Sequence, residues 1–414
     1  MILRWFISKT VREACAMRKH VWRLLNAQRD ILSAQAIAGV QVKINELNEA
    51  LAGGNNGKIR IKAEELQFAA NKWIKSYPHP AWRENVEVLL VALAVAMAIR
   101  TFCVQPFKIP TGSMQPTLFG VTSSNLIADK KFQIPTGWQR VKEWFEGNTY
   151  VHVVAQTDGV IKQVSPMRKF LIFNIKQSFW IGSTNDASVG VEHTMWFPPD
   201  YGEAPRPGMD PFLSRAHLEP GHFYHKGDDV VKICVRAGDH LFVDRLSYNF
   251  RKPERGEIIV FETKGINNPD AFGVNQMPQD EFYIKRLVVM PGERVQIGND
   301  RHLIINGQRL DAGTPHFENV YGFDPDKPPR ESEFSGHVNG AVAQEYNLYP
   351  NLAPLFPDDV TVFSNAPDSY MVMGDNTCNS SDSRTWGSFP AKNVIGKSWL
   401  VYWPITVRFG WGNQ

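Results

Sequence analysis

Apolar positions Val21, Leu24, Leu25 and Leu32 recur at helical spacing in the first fifty residues, where Gly and Pro are few, and predict helix. Gly53-Gly54-Asn55-Asn56-Gly57 interrupts that pattern. A second helical stretch, Ala63 to Ile74, stops before Tyr77-Pro78-His79-Pro80. The expected head is a helical hairpin. It does not read as a cleavable leader, because no continuous apolar run precedes a small-residue cleavage site.

The next segment, Val86 to Val104, is almost wholly apolar. Its uncharged centre, Val88 to Ile99, spans only about 18 Å as a helix, the length of a buried core helix. Taken from Val86 to Val104 it reaches about 28 Å, close to the roughly 30 Å of a bilayer's hydrocarbon. Glu87 and Arg100 then fall near opposite ends, where long side chains reach the interface. The pattern alone leaves both readings open.

Beyond Val104 short β-rich runs alternate with Gly, Pro and Asn turns. They include Leu171 to Ile175, Glu257 to Phe261, Tyr283 to Met290, Arg301 to Ile305 and Ser398 to Tyr402. Asn306-Gly307 is a hairpin signal. The expected fold is mainly β, a body of about three hundred residues behind an apolar helix and a helical N-terminal region, without an internal repeat.

Charge sharpens this division. Residues 1–87 carry 14 Lys/Arg against 8 Asp/Glu, a net +6, and the remainder carries −3. A basic head before an apolar helix favours a cytoplasmic head. The basic residues are scattered along amphipathic helices rather than clustered, so no nucleic-acid partner is expected. Four cysteines without a CxxC do not make a disulfide framework. Cys234 and Cys378 both lie in the body, where a pairing is open.

Three segments carry candidate chemistry. Ile109-Pro110-Thr111-Gly112-Ser113-Met114-Gln115-Pro116 holds a serine between two prolines that fix the backbone. It is either a nucleophile or part of an ordinary loop. None of the eleven histidines forms an obvious triad motif; His240, His302 and His316 sit in strand-like or loop contexts. Lysine is the other possible base, and it must be desolvated to lose its proton near neutrality. Lys285 suits that role, since Tyr283 and Leu287 share its face of a strand while Arg286 points the other way. An exposed Lys-Arg pair on an edge strand is the plainer alternative. The third segment, Gly374-Asp375-Asn376 to Arg384, is polar. It lacks the order of acidic residues and the flanking helices of a calcium loop, so no metal is expected.

Together and in this order the segments resemble type I signal peptidases, membrane-anchored Ser/Lys peptidases. Gln105 to Leu118 resembles the nucleophile box, and Gly238 to Tyr248 continuing through Arg255 to Phe261 resembles the second. Tyr283-Ile284-Lys285-Arg286 with Pro291-Gly292-Glu293 resembles the general-base box, and Gly374 to Arg384 the last. The resemblance implies Ser113 as nucleophile and Lys285 as general base. It implies an oxyanion hole from the Ser113 N–H and the Thr111 hydroxyl, where the family usually has Ser. Ser380 would orient the lysine, Asp382 and Arg384 would form a supporting ion pair, and Ile109 and Ile284 would wall the pockets for small substrate side chains. It implies no cofactor and no metal. The partners are secretory preproteins, through their signal peptides, and the lipid bilayer.

The implied organisation is a cytoplasmic helical region at 1–85, a transmembrane helix at 86–104 and an extracytoplasmic peptidase body at 105–414. The core boxes fall at 105–118, 238–297 and 371–403, with an insertion at about 120–232 and a smaller variable region at about 306–368. The expected location is the plasma (inner) membrane, crossed once with the N-terminus in the cytoplasm. Thr377 and Cys378 depart from the charged pair common after Gly-Asp-Asn, which leaves that loop's salt links open. The alternatives are a related Ser/Lys membrane peptidase for one dedicated precursor, or a non-catalytic membrane-anchored binding protein. Oligomeric state is not legible.

Overall fold

The computed structural model describes residues 8–75, 80–171, 173–183, 190–203, 210–219, 221–266, 277–349 and 351–412. The chain forms two compact units that divide at Ala94/Val95.

The first unit holds three helices, α1 (Lys9–Ala27), α2 (Ala34–Gly53) and α3 (Asn56–Trp73), rather than a hairpin of two. The additional break lies at residues 28–33, which contain neither Gly nor Pro. Its causes are local. Ser33 caps α2 by accepting the Ala36 N–H at 3.2 Å. The buried Gln28 amide donates to Lys75 O at 2.8 Å and accepts Lys75 N–H at 3.0 Å, which ties the end of α1 to the chain after α3. Asn55 caps α3 through the Gly57 and Lys58 N–H groups. Val21, Leu25, Val40, Ile44, Leu47, Ile59 and Leu66 fill the core between the helices. The helix stop expected at 77–79 lies outside the described residues.

Helix α4 (Pro80–Phe102) follows. From Trp82 to Phe102 it is long and apolar enough to cross a membrane, and none of that stretch is buried by protein. An apolar helix left exposed in this way is not packed as a core helix, the other reading of the apolar run.

The second unit is mainly β. After β1 (Val104–Lys108) and the loop carrying Ser113, the chain enters a subdomain. It runs through β2 (Thr122–Asn125), α5 (Gly137–Phe145), β3 (Asn148–Val154), β4 (Gly159–Val164), β5 (Arg168–Phe170), β6 (Phe173–Gly182), β7 (Val191–Trp196), α6 (Pro211–Arg215), β8 (Phe223–Tyr224) and β9 (Asp229–Arg236). The strand expected from Leu171 to Ile175 begins only at Phe173, because a hairpin corner precedes it. Leu171 has a φ of +54°, β5 ends before it and β6 begins at Phe173; Ile172 lies outside the described residues. The remaining strands are β10 (His240–Asp244), β11 (Ile258–Glu262), β12 (Phe282–Val289), β13 (Arg294–Ile297), β14 (Leu303–Ile305), β15 (Gln308–Arg309), β16 (Phe363–Ser364), β17 (Ser369–Met373), β18 (Phe389–Pro390), β19 (Val394–Trp403) and β20 (Gly410–Trp411). Short helices α7 (Gly340–Glu345) and α8 (Ser383–Trp386) lie among them.

The main sheet is antiparallel in the order β1-β10-β19-β11-β12-β17-β18, with β20 beside β19. Strand β11 reads Ile-Ile-Val-Phe without alternation because both its faces are covered. Ile258 and Val260 pack with Ile109, Met114 and Leu118 of the nucleophile loop, while Ile259 and Phe261 pack with Leu287, Val372 and Trp386. A second sheet, β15-β14-β13-β16, contains the expected Asn306-Gly307 turn, with φ of +51° and +85° in the mirror-image geometry that Asn-Gly favours. The subdomain builds two further sheets, β2-β9-β3 and β5-β6-β4-β8 with β7 on β6, around Phe179, Ile181, Phe212, Val231 and Ile233. All four cysteines are free thiols, so Cys234 and Cys378 do not pair.

Candidate active site

Strand β12 lies inside the main sheet, paired with β11 on one side and β17 on the other. Lys285 and Arg286 are 4% and 3% exposed, so the plain reading of a surface Lys-Arg pair on an edge strand does not hold. Lys285 stands opposite Ile259, and Tyr283 stands opposite Phe261. The lysine Nζ lies 5.4 Å from the Tyr283 ring centre. It donates to Ser113 Oγ at 2.7 Å and to Ile284 O at 3.1 Å. Burial pushes the Lys285 pKa down to about 8, opposed by the charges of Asp382, Glu203 and Asp375 and assisted by that of Arg384. A lysine in this state is neutral in a useful fraction of molecules near neutral pH, and the serine hydroxyl is within reach of it.

The loop carrying Ser113 is held from the last polar segment. Asn376 N–H donates to Ser113 O at 3.1 Å and its side-chain amide donates to Gly112 O at 3.0 Å. Gly374 is required by close approach, since a side-chain carbon there would collide with Ser113 O and Ser380 Oγ. Thr117 Oγ1 donates to Asp375 Oδ2 at 2.5 Å. Below the loop, Met114 and Leu118 are fully in the core. Ser113 is therefore pinned from both sides, although only 6% of it is exposed.

Two buried ion pairs complete the frame. Arg286 donates to both oxygens of Asp375, at 2.8 and 2.6 Å, and to Gly256 O at 2.8 Å. Arg384 donates to both oxygens of Asp382 at 2.9 Å, to Thr377 Oγ1 at 2.7 Å and to Thr377 O at 3.0 Å. Burial alone would raise the Asp382 carboxyl, but the charge and hydrogen bonds of Arg384 hold it below its ordinary value. Thr377, which departs from the family's charged pair, thus serves this loop as a hydrogen-bond bridge, and its Oγ1 also accepts the Val338 N–H at 3.0 Å.

The structure brings Ser113, Lys285, Ser380, Asp382 and Arg384 into one neighbourhood, with differences of detail. Ser380 Oγ is buried beside the Asp382 carboxylate, and among the described residues no well-aligned hydrogen bond joins it to Lys285. Thr111 is half-buried. Ile109 is only 2% exposed and belongs to the core, whereas Ile284 in the same cluster is half-buried. Arg286 and Asp375 were not singled out as a pair by sequence reasoning. The signal was the placement of a guanidinium on the face of a strand opposite to the lysine, with an acidic residue in the Gly-Asp-Asn turn. Among the described residues, no group of three or more His, Cys, Asp or Glu is arranged to hold a metal ion.

The family described as signal peptidase, peptidase S26, matches residues 82–137 and 230–403, more than half of the chain. The chain belongs to that family. Its match passes over 138–229, within the inserted subdomain. A signal peptidase I of Leptolyngbya laminosa is 31% identical over 172 residues, 41% of this chain and 63% of its own length. A probable signal peptidase I-2 of Synechocystis is 27% identical, over 41% of this chain and 58% of its own. A signal peptidase I of Mycobacterium tuberculosis is 28% identical over 222 residues, 47% of this chain and 66% of its own. The chain thus spans a little under two thirds of the length of these relatives.

Proposed function

We propose that the protein is a membrane-bound serine endopeptidase that removes signal peptides from secretory preproteins. The observation that carries this reading is the 2.7 Å contact from a buried lysine, with its pKa near 8, to the hydroxyl of a serine in a pinned loop. Lys285 takes the proton of Ser113, whose Oγ attacks the carbonyl after a small residue. The Ser113 N–H and the Thr111 hydroxyl stabilise the oxyanion. Collapse of the tetrahedral species expels the new amine, which takes the proton from Lys285, and leaves an ester on Ser113. Water, deprotonated by the same lysine, then hydrolyses the ester. Ser380 and the Asp382/Arg384 pair hold the lysine's surroundings. Ile284, with Ile109 behind it, limits the depth of the substrate pocket.

The exposed apolar helix and the +6 head support one crossing near 82–104, with the head in the cytoplasm and the body on the opposite side. That arrangement holds the dyad beside the bilayer in which the substrate's own apolar segment lies. The test is cleavage of a preprotein by the purified full chain against Ser113→Ala and Lys285→Ala. Each variant should lose at least about 10²–10⁴-fold in kcat/KM with an unchanged circular dichroism spectrum. Near-normal cleavage by either, free of host peptidase, would refute the dyad.

A further inference from the structure

The inserted subdomain sends one segment back to the dyad. Pro198 to Glu203 leaves β7 and runs against the loop that carries Ser113. Gly202 has a φ of +66°, and a side-chain carbon there would come within 2.8 Å of Val121 Cβ and 3.1 Å of Pro110 O, three residues before the serine. Asp200 pairs with Lys108, the last residue of β1, and accepts the Gly202 N–H at 2.9 Å. Against partial burial, the Lys108 ammonium holds the Asp200 carboxyl below its ordinary value. Tyr201 is buried in the subdomain core, with its ring 5.3 Å from that of Phe212. Arg215 donates to Tyr201 O at 3.2 Å and to Glu203 O at 3.1 Å. The segment is therefore held on two sides: to β1 by Asp200 and the nucleophile loop by Gly202, and to the subdomain by Tyr201 and Arg215.

We propose that Glu203, delivered by this segment, is a positioning residue of the Ser113/Lys285 dyad, so that the inserted subdomain sets the charge environment of the catalytic lysine. The inference rests on the dyad reading given above. Lys285 is faced by Ser113 from the nucleophile loop, by Tyr283 on its own strand, and by Asp375, Asp382 and Arg384 from the segment after β17. Each of the two aspartates already has an arginine bonded to it. The charge of Glu203 also acts on the lysine, and it arrives from a different element. Partial desolvation and the charge of Glu281 push its own carboxyl up, while Lys285 opposes them. Glu203 is exposed, so it can be replaced without disturbing a core. A carboxylate here favours the ammonium form of Lys285 and so restrains the base. Its removal should quicken the enzyme on the acidic side of its profile.

The experiment is the pH dependence of kcat/KM for the full chain in detergent on a soluble peptide substrate. Glu203→Gln should move the acidic limb to lower pH by about half a unit, roughly a threefold gain on the limb with the plateau unchanged. Glu203→Lys should move it further in the same direction. Glu219→Gln, which removes one charge elsewhere on the subdomain, should leave the limb in place. Superimposed wild-type and Glu203→Gln limbs would overturn the inference. So would a shift to higher pH, or a uniform loss of rate with the limb unmoved, which marks a structural role only. If Lys285→Ala still cleaves, the dyad itself falls and this inference with it, an outcome distinct from a failure at Glu203 alone.

Discussion

Lys285 and Arg286 are adjacent residues on one buried strand, and the two faces of that strand treat their cations in opposite ways. On one face Arg286 donates to both oxygens of Asp375 and to a backbone carbonyl, so its charge is matched within hydrogen-bond distance. On the other face Lys285 has a serine hydroxyl and one carbonyl, and among the described residues no carboxylate bonds to it directly. Equal burial therefore has unequal results. A guanidinium cannot shed its proton, so it must be paired. An ammonium without a paired anion can shed it, and burial then drives the group toward the neutral base. The comparison teaches that burial alone does not make a base; withholding the counter-ion does.

The strongest way to break the comparison is to strip the paired face. Asp375→Ala leaves a buried guanidinium without its partner and also frees Thr117, and should destabilise the protein by about 3–5 kcal/mol. The double change Arg286→Met/Asp375→Leu removes both charges and should recover most of that loss. Urea denaturation of the three proteins at pH 7 measures it. A single variant as stable as wild type would mean that the pair contributes nothing to the frame.

A second test acts on the unpaired face and has the opposite sign. A folded-state pKa lowered from 10.5 to about 8 means that the unfolded chain binds more protons between those values. Stability thus rises with pH through that window, and below about pH 8 the folded state bears the whole penalty, about 3 kcal/mol at most. Lys285→Met should therefore stabilise the inactive protein by up to about 2–3 kcal/mol at pH 7, less as pH approaches 10. A loss of stability on this substitution, measured by the same denaturation at pH 7 and pH 10, would show that Lys285 is a structural cation like its neighbour.

How far this contrast was legible depends on which residues bear it. Ser113 between two prolines, Lys285 among apolar neighbours and the Gly-Asp-Asn turn are each encoded within a few adjacent positions, so local reasoning reaches them. The mainly β body followed from short strand-like runs and turn residues. The partnership of Arg286 with Asp375 spans 89 residues, so the two local signals, a cation on the far strand face and the acid of the Gly-Asp-Asn turn, are joined only by the fold. The break between α1 and α2 rests on one serine cap and a glutamine reaching Lys75, while the residues themselves read as continuous helix. The return of Glu203 to the dyad depends on how the subdomain folds back, which no single stretch of sequence records.

The smallest expected effect concerns the histidine that comes nearest to being a rival base. His240 begins β10 and stands opposite Lys108, the end of the strand that leads to the Ser113 loop. Its ring lies 4.8 Å from that of Trp403 and 5.8 Å from that of Tyr402. Burial, then the charge of Lys108, push its pKa down to about 4, with Asp200 opposing. Such an imidazole is neutral throughout the range in which a lysine near 8 titrates, and changes charge about four pH units below it. The acidic limb of kcat/KM in the wild type should accordingly rise through one ionisation near pH 8, and His240→Asn should leave its position unchanged even if packing costs lower the plateau. Replacing His302, whose Nδ1 is engaged with Asp300 O at 2.7 Å, should do the same. A limb that vanishes with either histidine, in a pH–rate profile on a soluble peptide, would transfer the role of base away from Lys285. The contrast between the two faces of β12 would then concern stability and not catalysis.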